Sequence, residues 1–182
     1  YLSIPKPYQK PYPPMLLPVD SQESFVPMGT LGYKIAIGAG SSTHNLRGTT
    51  VQLENVKSYR KAWKDAGHEG EPATVVRIPT LLADTKEEAE RLSDELMVLA
   101  RRYFNGRIGI GSTDAGSASP DTTAEVNLFG TAEDVVEKIE VLREQYDTDE
   151  IMFEVNWTSS VPRDVVTDTI RILSDKVIPK FK

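Results

Sequence analysis

TVVRIPTLLADTKEEAERLSDEL, residues 74–96, decides how the chain is built. Its first nine residues are dominated by β-branched and apolar side chains, which predicts a strand over Thr74 to Leu82. Thr85 followed three residues later by Glu88 then has the spacing of a helix-capping box, and Ala89, Leu92, Leu96, Leu99 and Tyr103 recur at helical spacing beyond it. One strand passes directly into one amphipathic helix, and the same unit recurs on both sides.

Upstream, Met15 to Val19 predicts a strand followed by a short helical stretch from Ser21, with Pro27 shortening or bending that helix. Tyr33 to Gly38 predicts a second strand. Its helix runs from Thr50 to Ala66, with Leu53, Val56, Tyr59 and Trp63 on one face and Gly67 as the stop. Downstream, residues 105–127 are rich in Gly, Ser and Thr without a period, which predicts a long mobile loop. Thr131 then caps a helix carrying Val135, Ile139, Leu142 and Tyr146, and a fourth strand covers Glu150 to Trp157. The last helix starts after Ser160 with Pro162 in its first turn, buries Val166, Ile170, Leu173 and Val177, and stops at Pro179. Residues 1–14 hold five prolines, which excludes helix or central strand and predicts an extended lead-in arm.

Four alternating strand–helix units predict an α/β fold with parallel pairing through right-handed crossovers. Two architectures satisfy this: an open doubly wound sheet, or a section of an eight-stranded (β/α)8 barrel. A complete barrel takes about 250 residues. The chain has 182, so a barrel reading makes residues 15–182 half of one.

Composition narrows the function. A formal net charge of -6 without clustered Lys and Arg argues against nucleic acid as a partner, and no apolar run approaches a membrane span. The absence of cysteine removes disulfides, thiolate metal sites and a Cys nucleophile, and fits a cytoplasmic setting. His44 and His68 are the two histidines, too few for most His-based metal sites. The chain opens at Tyr1 without Met or a secretion pattern, as a processed or excised piece would.

In parallel α/β sheets, ligands bind beyond the carboxyl ends of the strands. After the first strand come Asp20, Ser21, Gln22, Glu23 and Ser24. Asp20 and Glu23 have the spacing of an N-cap and its reciprocal partner, which would place two serine hydroxyls and free N–H groups around an anion; plain helix capping is the alternative. The second strand ends in AIGAGSSTHNLR, where Gly38 and Gly40 let a flat ligand approach and Ser41, Ser42 and Thr43 offer donors. His44 is the candidate general base or substrate donor there, against the plainer reading of a solvated loop residue. His68, behind a helix stop, is expected on the surface. Trp157 could cover a planar ring or pack in the core. No catalytic triad and no pair of catalytic carboxylates emerges. A planar, phosphorylated cofactor that brings its own reactivity would suit such a site.

These residues resemble a known family. PKPYQKPYPPMLLPVDSQESF (residues 5–25) is similar to the proline-rich segment, strand and serine turn of bacterial luciferase-like flavin monooxygenases. The likeness continues through YRKAWKDAGH, the helix start at Thr85, GTAEDV at Gly130 to Val135, and DVVTDTIRILSDKVIPKF at the end, covering essentially the whole chain. The resemblance implies the carboxyl-terminal half of a (β/α)8 TIM barrel, strands five to eight. It implies reduced FMN delivered by a separate reductase and reacted with O2 to oxidise an aldehyde or other organic substrate; a related branch uses a deazaflavin coenzyme. By position, Asp20, Ser21 and Ser24 would lie near the flavin phosphate, Gly38 and Ala39 near the ring, and residues 105–127 would be an active-site lid. The implied partners are the amino-terminal half-barrel or a complementary chain, a flavin reductase, and a second copy in a dimer. A non-catalytic flavin-binding subunit and an independent flavodoxin-like module are the rival readings.

Overall fold

The computed structural model describes residues 4–10, 12–19, 21–38, 49–108, 127–156 and 161–181. Strand β1 spans Leu16–Val19 and leads through a 3-10 turn, Gln22–Ser24, into helix α1, Phe25–Leu31. Strand β2 (Lys34–Gly38) precedes α2 (Thr49–Asp65), and β3 (Thr74–Leu82) precedes α3 (Lys86–Ile108). Then follow β4 (Leu128–Gly130), α4 (Ala132–Tyr146), β5 (Glu150–Glu154) and α5 (Arg163–Ile172), which widens into a π turn at Leu173–Val177 and ends in a 3-10 turn at Ile178–Phe181. Every strand pairing is parallel, in the order β1-β2-β3. The nine residues of β3 are shared: Val75 to Pro79 pair with β5, and Thr80 to Leu82 pair with β4.

The alternation of side chains along each strand sorts the sheet into two faces. Val19, Ile35 and Ile37 pack with Phe25, Val56, Tyr59 and Trp63 of α1 and α2. Val76 and Ile78 pack with Val135, Ile139 and Leu142 of α4 and with Ile172, Leu173 and Val177, while Ile151 and Phe153 of β5 lie against the same cluster. These residues define a helix-covered outer face on which Ile35, Ile37, Val76 and Ile78 are fully buried. The intervening residues define an inner face, where Leu16 is 37% and Met152 41% exposed while Ala36, Val75 and Leu81 are buried. Beyond that face, Leu81 packs with Leu96 of α3, Phe129 and Val161, so α3 lies over the carboxyl end of β3.

α1 and α2 approach closely because residue 29 is glycine: a Cβ there would stand 2.3 Å from the Tyr59 carbonyl oxygen. Pro27 falls in the first turn of α1, where its missing N–H has no intrahelical partner to lose, and the helix runs for only seven residues. Gly32 ends it in the left-handed conformation at φ 74°.

Several expectations are corrected. The chain has five strands among its described residues, since β4 is too short to show an alternating pattern in the sequence. Residues 105–108 belong to α3 rather than to a loop, because a single interior glycine costs a helix only about 1 kcal/mol. Residues 109–126 lie outside the described ones. At Thr85 only half of the capping box forms: Glu88 N–H donates to Thr85 Oγ1 at 3.3 Å, while the Glu88 carboxylate turns outward to Arg91. The full box forms at Thr131, whose N–H and hydroxyl both donate to Asp134 Oδ2 at 2.9 Å. The fourth predicted strand ends at Glu154, not Trp157. In the last helix Ile170 is 48% exposed, and Thr169 and Ile172 take the buried positions. The π turn shifts the helical phase there, so a stripe read at constant spacing misses by one residue. Pro162 is the N-cap of α5, and the chain continues helically through Pro179. Leu99, Tyr103 and Tyr146 fall outside the described side chains.

Candidate functional site

The site is built at the carboxyl edge of the sheet, from the residues that follow β1 and close β2. Burial of Val19 and Phe25, each 1% exposed, fixes the turn between them. Ser21 has the extended backbone of a helix N-cap (φ -131°, ψ 148°), and its side chain caps no N–H. Instead its hydroxyl meets that of Ser24 at 2.9 Å, with either oxygen able to donate. Ser21 holds the cap position; Asp20, and with it the expected partnership with Glu23, lies outside the described residues. Two paired hydroxyls at a helix start suit a phosphate or another oxyanion, with the Ser24 N–H already given to the Ser21 carbonyl at 3.1 Å and the Phe25 N–H to that of Gln22.

Gly38 ends β2, half-buried, on the inner face. Its register partner on β3 is Arg77, so a guanidinium side chain projects from the inner face beside a residue with no side chain. Across β3, Glu154 of β5 brings Oε1 to 3.6 Å from Arg77 Nε. Sequence reading passed over Arg77 and Glu154, although a charged residue at an inward position of the otherwise uncharged run TVVRIPTLL is a usable signal. Ala39, Gly40, Ser41, Ser42, Thr43, His44 and Trp157 lie outside the described residues.

His68 sits far from this edge. Its Nε2 is 2.8 Å from the Thr30 carbonyl and its ring stacks at a tilt 5.1 Å from Trp63, so it is half-buried rather than free on the surface. It belongs to the amino-terminal edge of the sheet, where hydrogen bonds join several elements although Arg60 Nε is buried without a partner among the described residues. Arg60 Nη2 donates to the Asp147 carbonyl at 2.7 Å and to Asp149 Oδ2 at 3.0 Å, and Thr74 N–H donates to the same Asp149 oxygen at 2.8 Å. Tyr59 donates its phenol proton to the Tyr33 carbonyl at 3.0 Å, and burial pushes that phenol up to about 12. Behind β4, Lys138 donates to the Asn127 and Phe129 carbonyls at 3.3 and 2.8 Å; burial lowers its pKa, opposed by Asp134. Among the described residues no group of three or more His, Asp or Glu could hold a metal ion, and no helix is long and apolar enough to cross a membrane.

Solved structures share this architecture. The monooxygenase RslO1 from Streptomyces bottropensis superimposes with a TM-score of 0.75 at 16% identity, over 98% of this chain and 51% of its own. The chain has the fold of half a (β/α)8 barrel. The oxygenating constituent of 3,6-diketocamphane monooxygenase from Pseudomonas putida, solved in complex with FMN, matches this half-barrel with a TM-score of 0.62 at 21% identity, over 91% of this chain and 47% of that one. The coenzyme F420-dependent tetrahydromethanopterin reductase from Methanopyrus kandleri matches at 0.60 and 18% identity, over 93% and 51%. The half-barrel thus spans about half the length of these relatives. No family model matches the sequence, and no curated protein does.

Proposed function

We propose that this chain is the carboxyl-terminal half of a flavin-dependent, luciferase-like monooxygenase that oxidises an organic substrate such as an aldehyde with O2 and reduced FMN. The observation that carries this reading is the Ser21–Ser24 hydroxyl pair after β1, in a fold shared with a protein solved with FMN. The pair and the adjoining backbone donors would hold the phosphate, with Asp20 orienting the turn. Gly38 and Ala39 would face the ring, where the missing side chain at Gly38 leaves room for a flat group. The flavin supplies the redox chemistry when bound. The chain's own residues bind it, orient it and exclude water, with His44 the candidate to contact substrate and donate or accept a proton.

The inner face supports the need for a partner: exposed Leu16 and Met152 would be covered by the amino-terminal half-barrel or a complementary chain. The arm of residues 1–14 would run to that half, and the segment after α3 would cover the pocket. A flavin reductase, a dimeric assembly and a cytoplasmic setting complete the proposal. The likeness to a coenzyme F420-dependent reductase favours a deazaflavin as the second candidate cofactor. A non-catalytic flavin-binding subunit is separated from the enzyme by O2 consumption with candidate aldehydes in the presence of a reductase.

Ser21→Asp in the intact protein puts a carboxylate where the phosphate would sit and is expected to abolish FMN binding. Unchanged affinity in a flavin-fluorescence titration removes the phosphate assignment. Parallel titration with the deazaflavin coenzyme decides between the two cofactors.

A further inference from the structure

The inner face of β3 carries a guanidinium whose Nε has no hydrogen-bond partner among the described residues. Arg77 lies between Val75 and Pro79 on that face, opposite Gly38 of β2. That Nε is also shielded from solvent. Glu154 Oε1 at 3.6 Å is close enough for charge attraction and too far for a hydrogen bond. A guanidinium has five donors in a fixed fork, and an Arg paired only loosely with one carboxylate retains capacity for a second anionic oxygen. Both side chains are only partly exposed, Arg77 at 40% and Glu154 at 31%, so each would lose further solvent on completion of a barrel. An under-satisfied cation enclosed in this way is costly unless a ligand or another group meets it.

Position says where the ligand would be. Arg77 is one strand beyond Gly38 and two beyond β1, about 10 Å from the serine turn at ~4.8 Å per strand. It therefore stands two strands away from the proposed phosphate, and the bare backbone of Gly38 leaves its approach open.

We propose that Arg77 is a ligand-contacting residue that takes an anionic oxygen at this end of the pocket, with Glu154 as the carboxylate that holds it and competes for it. The proposal rests on the reading of the chain as half of a flavin barrel. The oxygen would come from a carboxylate or enolate of the organic substrate, or from the carbonyl edge of the flavin, which gains negative charge on reduction.

The test uses the intact protein with Arg77→Met, Arg77→Lys and Glu154→Gln. Benzoate and its neutral analogue benzamide are titrated calorimetrically in the presence of FMN, and the midpoint potential of bound FMN is measured. For an oxygen of the substrate, Arg77→Met weakens benzoate at least tenfold and benzamide less than twofold, Arg77→Lys retains part of the affinity, and Glu154→Gln tightens benzoate severalfold. For an oxygen of the flavin, Arg77→Met moves the potential negative and Glu154→Gln moves it positive. Benzoate affinity and potential both unmoved in all three variants, whether or not stability falls, overturn the proposal and leave the pair a structural one. FMN binding by the unsubstituted protein is measured separately: its failure removes the flavin reading, while the benzoate comparison still decides the role of Arg77.

Discussion

The two edges of one parallel sheet are built to different rules. At the amino-terminal edge the polar groups meet partners from neighbouring elements: Arg60 with Asp147 and Asp149, Thr74 with Asp149, Tyr59 with the Tyr33 carbonyl. At the carboxyl edge two hydroxyls meet only each other among the described residues, and Arg77 has a carboxylate nearby without a hydrogen bond to it. The contrast is one of degree, since Arg60 Nε, like Arg77 Nε, is buried without a hydrogen-bond partner among the described residues; under the proposed function the second edge would keep its donors for a ligand. That division is the one parallel α/β folds make between stability and ligand binding.

The largest test of the comparison is Asp149→Ala. One carboxylate oxygen accepts from Thr74 N–H, the Thr74 hydroxyl and Arg60, so its removal is expected to cost about 2 kcal/mol in urea unfolding. Tyr59→Phe is expected to cost about 1 kcal/mol by leaving the Tyr33 carbonyl without its donor. The Tyr59 phenol is raised to about 12 in the folded chain, so its contribution is whole below pH ~10 and disappears as pH rises through the folded value. The alkaline limb of a stability–pH curve should lose that component in Tyr59→Phe.

Asp134→Ala sharpens the contrast from the other side, because the Thr131 box closes one point of the carboxyl edge. It should cost about 1 kcal/mol. The Thr131 N–H and hydroxyl hold the Asp134 carboxyl below its usual range, so the unsubstituted protein keeps this contribution above pH ~4 and loses it as acid protonates the folded carboxylate. Stability measured from pH 6 down to pH 2 should show a smaller acid loss in the variant. Joint replacement of Ser21 and Ser24 by Ala is expected to change stability least, by under ~0.5 kcal/mol, because the hydroxyls support no other described group. FMN affinity should nevertheless fall severalfold by fluorescence titration. A large loss of stability instead would make the pair structural and erase the difference between the edges.

Much of the fold is legible in the sequence because its signals are local. The β3 bounds, the helix caps at Thr131 and Gly67, and the apolar spacing of α2, α3 and α4 follow from contacts within a few residues. The losses occur where the neighbour is distant in the chain. β4 is a strand because β3 extends past β5 to receive it, and Ile170 is turned outward by a change of helical pitch at Leu173. Gly29 looks like a helix flaw until the Tyr59 backbone is found against it.

The candidate site divides in the same way. That the two serines share one turn is readable because they are three residues apart, and the structure adds that their hydroxyls meet and that Ser21 is the cap. The pairing of Arg77 with Glu154 is not, since nothing in a linear pattern tells which residues of two strands come to face each other. The sequence alone determined the alternating elements and the polar turn after the first strand, as periodicity and capping are short-range effects. Only the tertiary structure decided which strand faces the helices cover and brought residues 77 and 154 together, because both depend on long-range pairing across a twisted sheet.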